Sequence, residues 1–132
     1  MTKVVLDTNI IVASLWRANS KSADIVRDVI ERRLIACHDQ GIANEYAKVL
    51  RRFKFRFPHS TIEDLLHGIT GNGLSVVAAK SKIAFAHESD RMFYDVAVHC
   101  GAMLITSNLR HYPDNEPFIL TPGAFMSWIC DI

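Results

Sequence analysis

Apolar positions recur along this chain at two spacings, and the alternation between them predicts the elements. Lys3 to Leu6 is a short apolar run of strand character, closed by the helix-starting residues Asp7-Thr8-Asn9. Ile10 to Trp16 predicts a short helix. Ser20 or Ser22 can cap the next one, which carries Ala23, Ile25, Val26, Val29 and Ile30. Leu34 to Cys37 reads as a second strand, and Asp39 to Phe53 as a helix with Ile42, Tyr46, Val49, Leu50 and Phe53 along one stripe. Ser60 or Thr61 caps a further helix through Ile69, ended by the Gly71-Asn72-Gly73 turn. Leu74 to Val77 is a third strand, and Ser89-Asp90 opens a helix with Phe93, Ala97 and Cys100 on one face. Ala102 to Thr106 and Phe118 to Leu120 complete the strands. Pro122 suits the first turn of a last helix seated by Phe125, Trp128 and Ile129. Strands alternating with helices predict an α/β fold: a three-layer α/β/α sandwich with a mainly parallel central sheet of four or five strands.

The chain's 132 residues make one domain, 1–132, large enough to bury a core without staples. An apolar fraction of 49% with 22% charged residues excludes disorder of the whole chain. Cys37, Cys100 and Cys130 are too few for a disulfide scaffold. No apolar run approaches the ~18 residues of a membrane span. The start, Met1 to Asp7, meets an acid too early for a signal peptide, so the expected address is a reducing cytoplasm with no membrane partner. The net charge of +1 makes no global demand for a polyanion. The charges are nevertheless uneven. Lys21 to Arg56 holds nine bases and five acids, and His87 to Ile132 two bases and six acids.

Ligands of α/β sheets bind beyond the carboxyl ends of the strands. The polar residues falling there are Asp7, Thr8 and Asn9 after the first strand, and Ser107 and Asn108 after the fourth. Helical geometry adds two acids. At about 100° per residue, Glu45 lies about 60° from the Ile42 direction, at the border of the apolar stripe. Asp90 shares the face of Phe93 and Ala97, whereas Asp95 falls on the polar side near Arg91 and His99. Taken singly, Asp7 and Asp90 read equally as helix N-caps, Glu45 as a solvated surface acid, and Asn108 as a turn residue. Taken together, acids gathered at one sheet edge repel one another unless protons or a cation compensate. Oxygen donors without a Cys or His cage suit Mg²⁺ or Mn²⁺.

Four blocks carry a resemblance: Val4-Val5-Leu6-Asp7-Thr8-Asn9, Ala43-Asn44-Glu45-Tyr46, Asp90 through Ala97, and Leu104-Ile105-Thr106-Ser107-Asn108. In this order, and over nearly the whole chain, they resemble a PIN domain, closest to the branch of the VapC ribonuclease toxins. The resemblance implies a Mg²⁺- or Mn²⁺-dependent endoribonuclease, the toxin of a toxin–antitoxin pair, with RNA as substrate, an antitoxin protein as partner and a homodimeric state. It places Asp7, Glu45 and Asp90 at the principal acidic positions, as catalytic and metal-binding residues. Thr8 or Thr106 would orient ligands by hydrogen bonding, and Asn108 would extend the metal shell through water. Many relatives carry a fourth acid after the fourth strand. Here that stretch is Asn108-Leu109-Arg110-His111, and the acids that could take its place are Asp95 and Asp114. The alternatives are a catalytically weak PIN-like module binding RNA or protein, and an RNA-processing nuclease that is not a toxin.

Lys48 to Phe57 mixes five bases with three aromatics. It reads as an RNA track through Arg51, Arg52 and Lys54, with a ring available for stacking. It reads equally as a solvated face over a core Phe53, or as a surface covered by an antitoxin peptide. Arg110 and His111, beside the proposed site, are further substrate contacts or plain loop residues. Cys37-His38 and His99-Cys100 lack zinc-ligand spacing and read as packing residues. No phosphate-binding glycine motif occurs. A haloacid-dehalogenase-type phosphatase would need an acid where Asn9 stands.

Overall fold

A computed structural model of the protein describes residues 1–131, the side chain of Phe53 aside. The helix expected to run to Phe53 ends at Leu50, and Phe53 opens a separate short turn to Phe55; the expected packing of its side chain lies outside the described residues. Five strands form one wholly parallel sheet: β1 (Lys3–Leu6), β2 (Ile35–His38), β3 (Leu74–Ser75), β4 (Met103–Ile105) and β5 (Ile119–Leu120). Their order is β3-β2-β1-β4-β5. The helices are α1 (Thr8–Trp16), α2 (Lys21–Ile30), α3 (Gln40–Leu50), α4 (His59–Thr70), α5 (Arg91–Cys100) and α6 (Pro122–Cys130). This is the three-layer α/β/α sandwich expected of the alternating pattern.

The apolar runs of β1 and β4 are strands buried on both sides, as the central strands of a parallel sheet are, whereas both residues of β3 are exposed. Val4, Val5, Leu6, Leu104 and Ile105 have no exposed surface. The sheet packs against α5, which touches β1, β2 and β4. Elsewhere α2 packs on α1, α4 and α6, and α3 on α1 and α4. Gly101 ends α5 at φ 63°, a left-handed conformation that needs no Cβ, and lets the chain turn into β4.

Several boundaries differ from the expectation for local reasons. Asp39 is the N-cap of α3, accepting a bond from the Ile42 N–H at 2.7 Å. Ser20, not Ser22, caps α2, accepting from the Ala23 N–H at 3.1 Å. Neither Ser60 nor Thr61 caps α4, which starts at His59 behind Pro58. The proline's fixed φ suits a helix start without a side-chain cap. The third strand is shorter than Leu74 to Val77. Its pairing ends where the Val76 N–H donates to the His38 carbonyl at 2.9 Å, and Val77 is 92% exposed.

Candidate active site

Strand order decides where the chemistry gathers. From β1 the chain turns one way to β2, while β4 and β5 lie on the other side. The crevice at such a switch point is the usual ligand site of an open α/β sheet. Asp7 follows β1 and Thr106 follows β4, and the Asp7 N–H donates to the Ile105 carbonyl at 3.0 Å. A cleft of about 450 Å³ opens there. Asp7, Thr8, Glu45, Asp90, Asn108 and His111 are among the residues lining it.

Asp7 occupies the N-cap position of α1 and Asp90 that of α5, yet neither carboxylate makes a capping hydrogen bond. The simple N-cap reading fails for both. Asp7 Oδ2 instead accepts from Thr106 Oγ1 at 2.8 Å and from the Tyr112 hydroxyl at 3.0 Å, and all three residues are buried. Thr106 also accepts the Asn108 N–H at 3.0 Å, so its own hydroxyl hydrogen is free for Asp7. One threonine thus orients the first acid and fixes the turn after β4. Tyr112 was invisible in the sequence. It sits behind the short turn Leu109–His111, and only a buried phenol in a polar loop could have flagged it. Burial, helped by the nearby Asp7 and Asp90 charges, pushes that phenol well above its ordinary range, so it remains a donor.

Asp90 is held differently. It is 9% exposed, and its buried Oδ2 has no hydrogen-bond partner. His111 Nδ1 stands 3.4 Å from that oxygen, an ion pair when the imidazole is protonated. The His87 ring lies 4.7 Å from the His111 ring. Burial and then the Asp7 charge raise the Asp90 carboxyl above its usual range, while His111 and His87 pull it partly back. Thr8 Oγ1, on the same wall, is also buried without a partner.

Glu45 lies half-buried on α3, with Val49 and Arg52 beside it in the cleft. It does not close on the two aspartates: among the described residues no three His, Cys, Asp or Glu side chains converge as a metal cage. Asn9 lines the cleft and accepts the Ser107 N–H at 3.3 Å, whereas Ser107 itself is exposed outside it. Arg51 is paired with Glu63 of α4 and faces a separate groove. Lys54 lies over the Phe55 ring at 5.2 Å, and Arg110 is exposed outside the cleft.

The substitutes for a fourth acid are elsewhere. Asp95, expected on the polar side of its helix, is buried and accepts the Ser81 N–H at 3.1 Å. The loop before α5 covers that face. Asp114 borders a different depression of about 500 Å³, which holds no buried acid. Cys37 and His38 are buried on β2, as packing residues would be, but His99 is exposed.

Residues 3–110 match the family model described as PIN domain. The chain belongs to the PIN domain family. No curated protein matches it. PIN domains are generally nucleases and commonly use divalent metals. The donors in this PIN domain fit such an ion: Asp7, Glu45 and Asp90 line one cleft, and the Asp90 Oδ2 and Thr8 Oγ1 oxygens are buried there without a hydrogen bond. Mg²⁺ usually keeps several waters and is held through one or two carboxylates plus substrate phosphates, so a closed cage is not required. Among the described residues no helix is long and apolar enough to cross a membrane.

Proposed function

We propose that this PIN domain is a Mg²⁺- or Mn²⁺-dependent endoribonuclease acting in the cytoplasm. The observation that carries the reading is the pair of aspartates at helix N-termini that cap nothing, one of them with a buried oxygen that accepts no hydrogen bond and has the His111 imidazole 3.4 Å away. Asp7 and Asp90 would hold the ion, with Glu45 and Asn108 reaching it through water. Bound there, a divalent ion supplies charge stabilisation to a phosphoryl group under attack and lowers the pKa of a coordinated water.

The chain's own residues do the rest. Thr106 and Tyr112 hold Asp7 in one orientation. The N-termini of α1 and α5 place positive dipole ends at the crevice, where a phosphate must come. Glu45, half-buried on the wall of the same cleft, would accept a proton from the attacking water. His111, 3.4 Å from Asp90 Oδ2, lines the same cleft.

The role as toxin of a toxin–antitoxin pair, with an antitoxin partner and a homodimeric state, rests on the sequence resemblance alone. A small gene directly upstream whose product silences the activity supports it. Asn108 in place of a fourth acid, and acids that do not close into a cage, favour a second reading: a weakly catalytic RNA-binding module. Cleavage of mixed RNA in Mn²⁺, Mg²⁺ or EDTA, with Asp7→Asn alongside, separates them. Metal-dependent cutting lost in the variant supports the nuclease. RNA binding indifferent to metal, without cutting by folded protein, supports the module.

A further inference from the structure

The acidic end of the cleft has an aromatic and basic opposite end that the nuclease reading does not use. Helix α1 begins at Thr8, beside the acids, and ends at Trp16, about 12 Å further along its axis. Trp16 is 63% exposed, unusual for a residue that is highly buried on average. It lines the same cleft as the acids. Its ring meets Phe55 edge to face at 5.3 Å and 78°, and Phe55 in turn stacks on Phe57 at 5.5 Å and 13°. Phe55 therefore braces the indole, and most of the Trp16 surface stays open. Arg52 lines the cleft between Glu45 and this cluster, and also borders the neighbouring groove with Arg56 and Phe57.

We propose that Trp16 is the platform on which one unpaired base of the RNA substrate stacks, with Arg52 on the phosphate between that base and the acids. This rests on the ribonuclease reading and adds a base-recognition subsite to it. Charge complementarity selects the occupant. A ligand that satisfies cations, a flat apolar ring and a cation-loaded acidic centre in one cleft carries phosphates and aromatic rings in alternation. An apolar peptide would leave Arg52 unmatched in the cleft. A duplex keeps its base faces covered and offers nothing to stack.

Trp16 and Trp128 are the chain's two tryptophans, so Trp128→Phe leaves Trp16 as the sole indole. Trp128 sits on α6, its ring 5.8 Å from Phe125, away from the cleft. In an Asp7→Asn, Trp128→Phe chain, which cannot cut, a mixed-sequence 12-nucleotide single-stranded RNA is titrated in Mg²⁺ while indole emission is followed. The expected result is saturable quenching, absent when the same oligonucleotide is annealed to its complement. With affinity read separately from the anisotropy of the same RNA carrying a 5′ fluorescein, adding Trp16→Ala is expected to weaken binding about 5- to 150-fold, the range for loss of one base–aromatic stack, and Trp16→Phe to keep most of the affinity. Saturable binding without quenching, equal quenching by the duplex, or undiminished affinity in Trp16→Ala overturns the proposal. Absence of metal-dependent cutting by the unmodified chain defeats the nuclease reading instead, a readout independent of the quenching.

Discussion

Replacing Asp90 by asparagine should stabilise the fold while removing the activity. The substitution deletes one charge at nearly constant volume. In the metal-free protein that charge is 9% exposed, faces Asp7, and leaves Oδ2 without a hydrogen bond. Asparagine still places a polar atom there, so the substitution relieves only the burial of a charge and its repulsion by Asp7, on the order of 1–3 kcal/mol. Two effects oppose the gain. The N-terminus of α5 favours an anion by about 0.3–1 kcal/mol. The half-exposed His111 partner adds about 0–1 kcal/mol when protonated. The balance is about 1 kcal/mol in favour of asparagine, or roughly 3–5 °C in Tm for a domain of this size. The sign with pH follows from the raised carboxyl. The folded state binds the Asp90 proton more tightly than the unfolded state, so the native chain loses stability as pH rises from the ordinary carboxylate range through the raised value. The Tm gap between Asp90→Asn and the native chain should thus open as pH rises, vanish in acid where both are neutral, and close on adding Mn²⁺, which stabilises only the native site. Calorimetry in EDTA across pH, then with Mn²⁺, measures all three. A variant less stable than the native chain at neutral pH without metal would show Asp90 to be structural, and the argument for a cation-ready pair would fall.

Other outcomes follow from the same contacts. Tyr112→Phe removes one of the two donors to Asp7 Oδ2, and kcat should fall about 10-fold or more with KM little changed, as steady-state cleavage would show. Asn108→Asp restores a carboxylate after β4 and should tighten Mn²⁺ binding in a calorimetric titration; unchanged affinity would remove Asn108 from the metal shell. Burial, with Cys100 beside it, pushes the Cys37 thiol up to about 12, so a disulfide reagent at pH 8 should label exposed Cys130 quickly and Cys37 only on unfolding. Gly101→Ala should cost about 1 kcal/mol by urea titration, because φ 63° strains any side chain there.

The sheet was legible because each strand is an apolar run too short for a buried helix, bounded by turn or cap residues. The site was legible for the same reason: Asp7 and Asn108 each fall within three residues of a strand's carboxyl end. What escaped depends on tertiary contact. A helical wheel puts Asp95 on the polar face of α5, but it cannot foresee that the chain around Ser81 folds over that face and donates to the carboxylate. Tyr112 belongs to no periodic pattern, and its role appears only when the loop after β4 returns over Asp7. Trp16 reads as the last apolar residue of a short helix, and only its exposure in the structure separates it from core. The mixed run from Lys48 to Phe57 named the right neighbourhood but not its facing. Arg52 turns into the cleft, while Arg51, one residue earlier, pairs with Glu63 away from it.

The two aspartates share a position, the helix N-cap, but differ in what restrains them, and the difference assigns their parts. Both gain from a helix dipole that makes a carboxylate tolerable at a crowded edge. Neither spends its oxygens on helix amides. Asp7 is tied through Oδ2 alone to Thr106 and Tyr112, so it is fixed in place before any ligand arrives and retains Oδ1 for one. Asp90 has a buried Oδ2 with an imidazole nearby and no hydrogen bond. A fixed acid beside one without a hydrogen bond gives a site that is oriented from β4 and that, on the nuclease reading, a cation would complete. On the nuclease reading, the strand order supplies the proximity, Thr106 and Tyr112 supply the orientation, and the buried Asp90 carboxylate supplies the demand for positive charge that a closed cage of acids would otherwise share.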